Sequence, residues 1–207
     1  MYATVRPVPR PTRHRYRCGV ETRANPVDRK LAPFRGAQRD SLDEIRSVLH
    51  QLVPGADEAI AYGMPTLRVR GKSIVHFDGF ARHNAVFPSS GSVVARIGPV
   101  PEWCRASKSG LAFPVDRVPP RALLRRLVAA RQAELGSVQQ GLRLDFFRDG
   151  RLRAEGPVKD GVLHGAWRWY RQDGSLLRSG RFVRGRKVGE WTTHDRHGRV
   201  VRTRTMG

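Results

Sequence analysis

Apolar and polar positions alternate with different periods along the chain, and the change of period divides it into three stretches. In "SLDEIRSVLHQLVPG", Leu42, Ile45, Leu49 and Leu52 recur at helical spacing and Pro54-Gly55 stops the run. Ser41 with Glu44 three residues later has the form of a capping box, so a helix is predicted from Ser41 onward. The period then changes to two: "TLRVRGKSIVHF" alternates around Gly71 and reads as a hairpin, with "NAVFP" and "GLAFP" as further short strands. Helical spacing returns in "PPRALLRRLVAARQAELG", opened by Pro119 and Pro120, striped by Leu123, Leu124, Leu127 and Val128, and ended at Gly136. Helix, sheet, helix predicts an α+β domain over residues 36–136, an antiparallel sheet flanked by an N-terminal and a C-terminal helix.

Beyond a polar joint, "SVQQG" at 137–141, alternation becomes repetitive. A shift of 24 positions superposes Gly156 on Gly180, Gly161 on Gly185, Gly165 on Gly189 and Trp167 on Trp191, and carries Gly150 through Gly174 to Gly198. Leu152, Leu176 and Val200 keep the register, as do Phe146, Tyr170 and His194. Each unit reads as two short strands, with Asp173-Gly174 as the turn. A lone hairpin cannot hide its apolar face, so residues 142–207 are expected to form an all-β module of stacked hairpins with Trp167, Tyr170, Leu176, Phe182 and Trp191 along one seam.

The opening 35 residues show neither period. They mix Pro and Arg and read as a basic disordered tail, with a targeting segment or an over-long start as the alternatives. No run reaches the roughly 18 apolar residues of a spanning helix, so no transmembrane segment is expected. Cys18 and Cys104 stand far apart with no CxxC or Cys/His ligand spacing, which points away from a disulfide scaffold or a structural zinc and toward the cytoplasm.

Charge sharpens the picture. Nine Lys/Arg face two Asp/Glu over residues 1–35 (+7), fourteen face nine over 36–140 (+5), and sixteen face seven over 141–207 (+9), which accounts for the net +21. Basic ends make nucleic-acid association one reading, because Lys/Arg clusters release phosphate counterions. Arg far outnumbers Lys, however, and a compositional bias toward Arg gives the same total. In the repeats Arg168, Arg171, Arg178, Arg181, Arg184 and Arg186 could meet a peripheral anionic membrane surface, or simply keep the wet face of a strand polar.

Two resemblances follow from these motifs. "LDEIRSVLHQLVPGADEAIAYGMPTLRVRGKSIVHF", "RHNAVFP" and "SKSGLAFPVDRVPPRALLRRLVAAR" together resemble the YdhG-like family of bacterial domains of unknown function over about residues 40–135. That resemblance implies a frataxin-like architecture, and one branch of the family implies an intracellular iron chaperone, for which Asp43 and Glu44 are the nearest hard-oxygen ligands here. The chain departs from the family at "SSGSVVARIGPVPEW", where Pro99, Pro101 and a single acid, Glu102, replace an acidic helix. The 24-residue units are similar to the variant MORN repeat of YwqK-type antitoxin-like proteins, which implies an interaction platform and an antitoxin-like partner role.

Catalysis is not indicated: the sequence has no Gly-x-Ser-x-Gly elbow, no phosphate-cradling Gly-x-x-x-x-Gly-Lys run and no His-Glu-x-x-His. The expectation is a non-enzymatic binding or interaction protein, with no cofactor and with an unidentified protein partner, iron being the alternative cargo. In the α+β domain Tyr62, Met64, His83, Phe87 and Lys108 are the candidate lining of a pocket for a small anionic or aromatic ligand. Their alternative is plain: apolar residues in the core and polar ones in water.

Overall fold

The structure is a computed structural model and describes residues 25–207. It opens inside the stretch assigned to the tail. Asn25 accepts the Val27 amide at 2.9 Å and so caps helix α1 (Pro26–Leu31), whose Pro26 costs nothing in a first turn that has no N–H partner. Val27 and Leu31 are fully buried, so the ordered domain begins before residue 36. The remainder of the expected tail, residues 1–24, lies outside the described residues.

Helix α2 (Gly36–Leu52) buries the predicted stripe of Leu42, Ile45, Leu49 and Leu52, but it starts five residues earlier than the capping box implied. Ser41 is inside the helix and buried. Its hydroxyl lies 2.6 Å from the Val115 carbonyl and accepts from Asn84 at 2.7 Å, a tertiary use that overrides the local capping signal.

The first sheet comprises β1 (Asp57–Ala61), β2 (Met64–Val69), β3 (Lys72–Gly79), β4 (Asn84–Phe87), β5 (Arg105–Ala106) and β6 (Leu111–Phe113). It is antiparallel throughout, in the order β1-β2-β3-β4-β6-β5. Helix α3 (Arg121–Gly136) packs with α2 against β3. Tyr62-Gly63 and Arg70-Gly71 close the two leading hairpins as two-residue turns with positive φ at both positions (53° and 74°, 50° and 75°). This geometry matches the twist of the flanking strands and needs Gly at the second place.

The second sheet holds β7 (Gly141–Phe146), β8 (Leu152–Lys159), β9 (Val162–Leu163), β10 (Gly165–Tyr170), β11 (Leu176–Val183), β12 (Arg186–His194) and β13 (Val200–Met206), in the order β13-β12-β11-β10-β8-β7 with β9 beside β8. The molecule is therefore a β-rich α+β fold with two antiparallel sheets. Asp173-Gly174 is not a tight two-residue turn. It belongs to a wider loop in which Arg171 N–H donates to Ser175 O (2.8 Å) and Gly174 N–H to Arg171 O (2.9 Å). The same pair of bonds recurs 24 residues earlier, at Phe147 and Gly150, and 24 residues later, at Asp195 and Gly198.

The two sheets share a core. Leu144 of β7 is fully buried in the cluster built by α2, α3 and the first sheet, and Leu142, Phe146 and Leu152 pack against it. Gly150 sits so close to the Leu52 carbonyl at the end of α2 that a Cβ would collide with it, and Gln132 of α3 donates to Gly150 O at 3.2 Å. The polar joint at 137–141 is thus a bend between parts that bury each other, where the sequence suggested a boundary between independent domains.

Candidate functional site

One face of the second sheet docks at β7 and β8 on the α+β part; the other carries aromatic rings. Trp167 and Trp169 lie two apart on β10 and so point the same way, and cross-strand partners share a face. The register places Trp169 opposite Arg178, Phe182 opposite Lys187, Trp191 opposite Arg204, and Thr193 between Arg178 and Arg202. Trp167, Trp169, Phe182 and Trp191 form a continuous cluster with ring centroids 5.1–6.3 Å apart. Trp167 lies across Gly156 and Trp191 across Gly180, in each case too near for any side chain, which is the packing reason for glycine at a 24-residue interval.

The expected seam needs two changes. Tyr170 is not part of it: its hydroxyl accepts from Arg70 at 2.9 Å and donates to Glu155, toward the α+β part. Trp169, adjacent to Tyr170 and therefore on the opposite face, takes its place, and Leu176 is only half-buried.

A groove of about 390 Å³ runs over the cluster, lined by Trp169, Leu177, Arg178, Phe182, Lys187 and Trp191. A smaller recess of about 90 Å³ adjoins it and shares Arg178, Lys187 and Trp191; Thr193, Arg202 and Arg204 complete its polar wall. Lys187 Nζ stands 4.9 Å above the Trp191 ring. Among the described residues none of Arg178, Lys187, Arg202 and Arg204 has an acidic partner. Trp167 Nε1 donates to Pro157 O at 2.9 Å, whereas the buried Nε1 of Trp191, its counterpart in the repeat, has no acceptor. Four uncompensated cations around one recess can hold an oxyanion.

The six arginines singled out from the sequence do not form one surface. Arg178 lines the groove. Arg168 and Arg181 occupy the opposite face, Arg168 with Glu155 3.8 Å away, while Arg184 and Arg186 sit at and after the β11–β12 turn. Arg171 is a structural brace that donates to the carbonyls of Leu176 (2.9 Å), His194 and Asp195. Lys187, Arg202 and Arg204 were missed, although Arg202 stands 24 residues after Arg178 and the repeat therefore pointed to it.

The five-residue pocket expected in the α+β domain does not form. Tyr62, at a turn tip, is 89% exposed and stands T-shaped to His76, with centroids 5.7 Å apart. His83 stacks on Phe80 at 4.8 Å and Phe87 meets Phe80 edge-on at 6.5 Å, while Lys108 lies in an exposed turn beside Gly91. None of the five contributes to the main cavities of the described residues. What the region does contain is a buried chain. Thr66 Oγ1 donates to Met64 O at 2.9 Å, so it accepts from His76 Nδ1 at 2.7 Å, which leaves Nε2 to accept from the Ser89 hydroxyl at 2.7 Å. Burial first, then the charges of Arg68 and Arg131, holds this imidazole at about 4, so it is neutral and satisfied.

The iron alternative fares similarly. Asp43 is held by Arg39 at 2.6 Å and Glu44 is exposed, and no three His, Cys, Asp or Glu side chains converge among the described residues. The tightest acid is Glu58, gripped by Arg46 and by His50 at 2.8 Å, with Arg46 foremost in drawing its carboxyl down to about 2.

No protein-family model matches the chain, and no curated protein does. A solved structure is similar to it over half its length. That structure is the crystal structure of a DUF1801-family protein, YdhG, from Bacillus subtilis, with a TM-score of 0.45 and 17% sequence identity over 52% of this chain and 90% of that one.

Proposed function

We propose that this is a binding protein whose second sheet captures an anionic partner on its aromatic and basic face. The observation that carries the reading is the set of four cations, Arg178, Lys187, Arg202 and Arg204, gathered without acids around Trp191. Like charges crowded on adjacent strands repel one another, so the free protein pays for the arrangement and an anion relieves it. The resemblance of this segment to variant MORN repeats supports a platform that presents a surface, and the closed, satisfied surroundings of His76 supply no group free to react. The α+β part then acts as the base on which the platform is held.

The test uses a fluorescently labelled heparin oligosaccharide as a generic polyanion. The full chain binds it at low salt, and Arg178→Ala/Arg202→Ala/Arg204→Ala weakens binding by more than tenfold. Equal binding by the two proteins contradicts the proposal.

A further inference from the structure

We infer that the polyanion taken by this face is a single-stranded nucleic acid, its bases stacking on Trp169 and its phosphates held by Arg178, Lys187, Arg202 and Arg204. This rests on the reading of the face as an anion-binding surface and adds the identity of what is bound.

The first support is the pairing of the two hollows. The larger is walled by aromatic and aliphatic side chains, the smaller by cations, and Arg178, Lys187 and Trp191 belong to both. A ligand filling both needs a flat apolar body joined directly to an anionic group, which is how an unpaired base and its phosphate are joined. The second is ring accessibility. Trp167, Phe182 and Trp191 are 2%, 6% and 5% exposed and make the floor, while half-buried Trp169 stands between them, centroid 5.7 Å from Trp167 and 5.5 Å from Trp191. Trp169 is thus the least buried of the four rings and lines the groove, and stacking on it asks only for the face of a base and so tolerates any sequence. Insertion into a lipid surface asks instead for protruding rings, and Trp167, Phe182 and Trp191 are buried.

The third support is the layout of charge. Arg178 and Arg202 flank Thr193 across three neighbouring strands, about 10 Å apart by the usual strand spacing, and Lys187 and Arg204 belong to the same face. The cations thus run across the strands, a track for a backbone laid over the sheet. A duplex hides its base faces in the stack and leaves only phosphates to be read, so it gains nothing from Trp169.

Anisotropy titrations of the full chain settle the matter with four probes: a fluorescein-labelled oligothymidylate of about a dozen nucleotides, the duplex of that strand with oligoadenylate, labelled heparin, and vesicles of phosphatidylserine in phosphatidylcholine. The inference expects the single strand to bind at least tenfold more tightly than the duplex and to quench indole fluorescence. Trp169→Leu should weaken the single strand about tenfold, a larger factor than the one by which it weakens heparin. Trp169→Phe, which keeps a ring to stack on and in the cluster, should retain most of the affinity, so that a loss through misfolding of the leucine variant is recognised. Heparin binding without preference for the single strand, or tighter binding to the vesicles, overturns the nucleic-acid inference and leaves the anion surface standing. Failure to bind heparin at low salt removes both.

Discussion

The guanidinium of Arg70 lies 3.0 Å from the carboxylate of Glu155, and the Tyr170 hydroxyl completes the contact by accepting from Arg70 and donating to Glu155. Arg70 belongs to the β2–β3 turn and Glu155 to β8, so this group ties one sheet to the other beside the shared Leu144 core. Glu155 is 8% exposed and Arg70 stands half in solvent, which limits what the pair contributes. Glu155→Ala should cost about 2 kcal/mol in urea unfolding, chiefly by leaving Arg70 and Tyr170 unpaired.

The shared core leads to a second prediction. A chain ended after Gln139 loses Leu144, Leu142, Phe146 and Leu152 from a cluster that contains α2 and α3. It should melt at a lower temperature with a broadened transition, and Leu144→Ala in the full chain should cost about 3 kcal/mol. A truncated chain as stable as the full one would show that the two parts are independent.

How much of this was legible in sequence depends on how local each signal was. The stripes of α2 and α3 depend on neighbours three and four residues away and could be read directly, as could the Gly71 hairpin. Ser41 was misread because its hydroxyl is used by Asn84 and Val115, from strands and loops far along the chain. The Tyr62-Gly63 turn has no comparable signature in the sequence, because nothing local marks a tyrosine for positive φ. The site itself was half visible: alternation and the 24-residue shift marked Trp167, Trp191 and Arg178, but Lys187 and Arg204 become neighbours of these rings only through strand register, which pattern alone did not supply. In "WRWY" aromatics fall on both faces, and the wrong one, Tyr170, was assigned to the seam.

Glycine under a tryptophan gives a third prediction. Gly180→Ala places a methyl within the contact distance of the Trp191 ring, so the ring or the strand must shift. The expected cost is about 2 kcal/mol, with a change in near-ultraviolet circular dichroism that reports the displaced indoles. An unchanged spectrum and stability would mean that Trp191 is not seated on Gly180.

Acid sensitivity follows from His76. Its ring is held at about 4 when folded, against 6.5 when free, so between those values the unfolded chain takes up a proton that the native protein does not. The stabilisation is complete above 6.5 and is lost as pH falls toward 4, by on the order of 3 kcal/mol. Glu58, held near 2 against 4.5, adds a further loss below 4.5. Urea midpoints measured across this range should fall steadily with acidification, and His76→Gln should remove the part between 6.5 and 4. A flat profile for the unmodified protein over that interval would show that the imidazole is not held neutral.

The claim that matters most is that binding is set by where the cations stand and not by how many there are. Removing three from the groove face (Arg178→Ala/Arg202→Ala/Arg204→Ala) and three from elsewhere on the same sheet (Arg168→Ala/Arg181→Ala/Arg184→Ala) lowers the net charge equally. The decisive measurement is the slope of log affinity for heparin against log salt in these two variants and the unmodified chain. The slope should shrink by about three in the groove-face variant and change little in the other. Equal slopes for the two variants would show that the protein binds anions through its overall charge and that the groove has no special part in it.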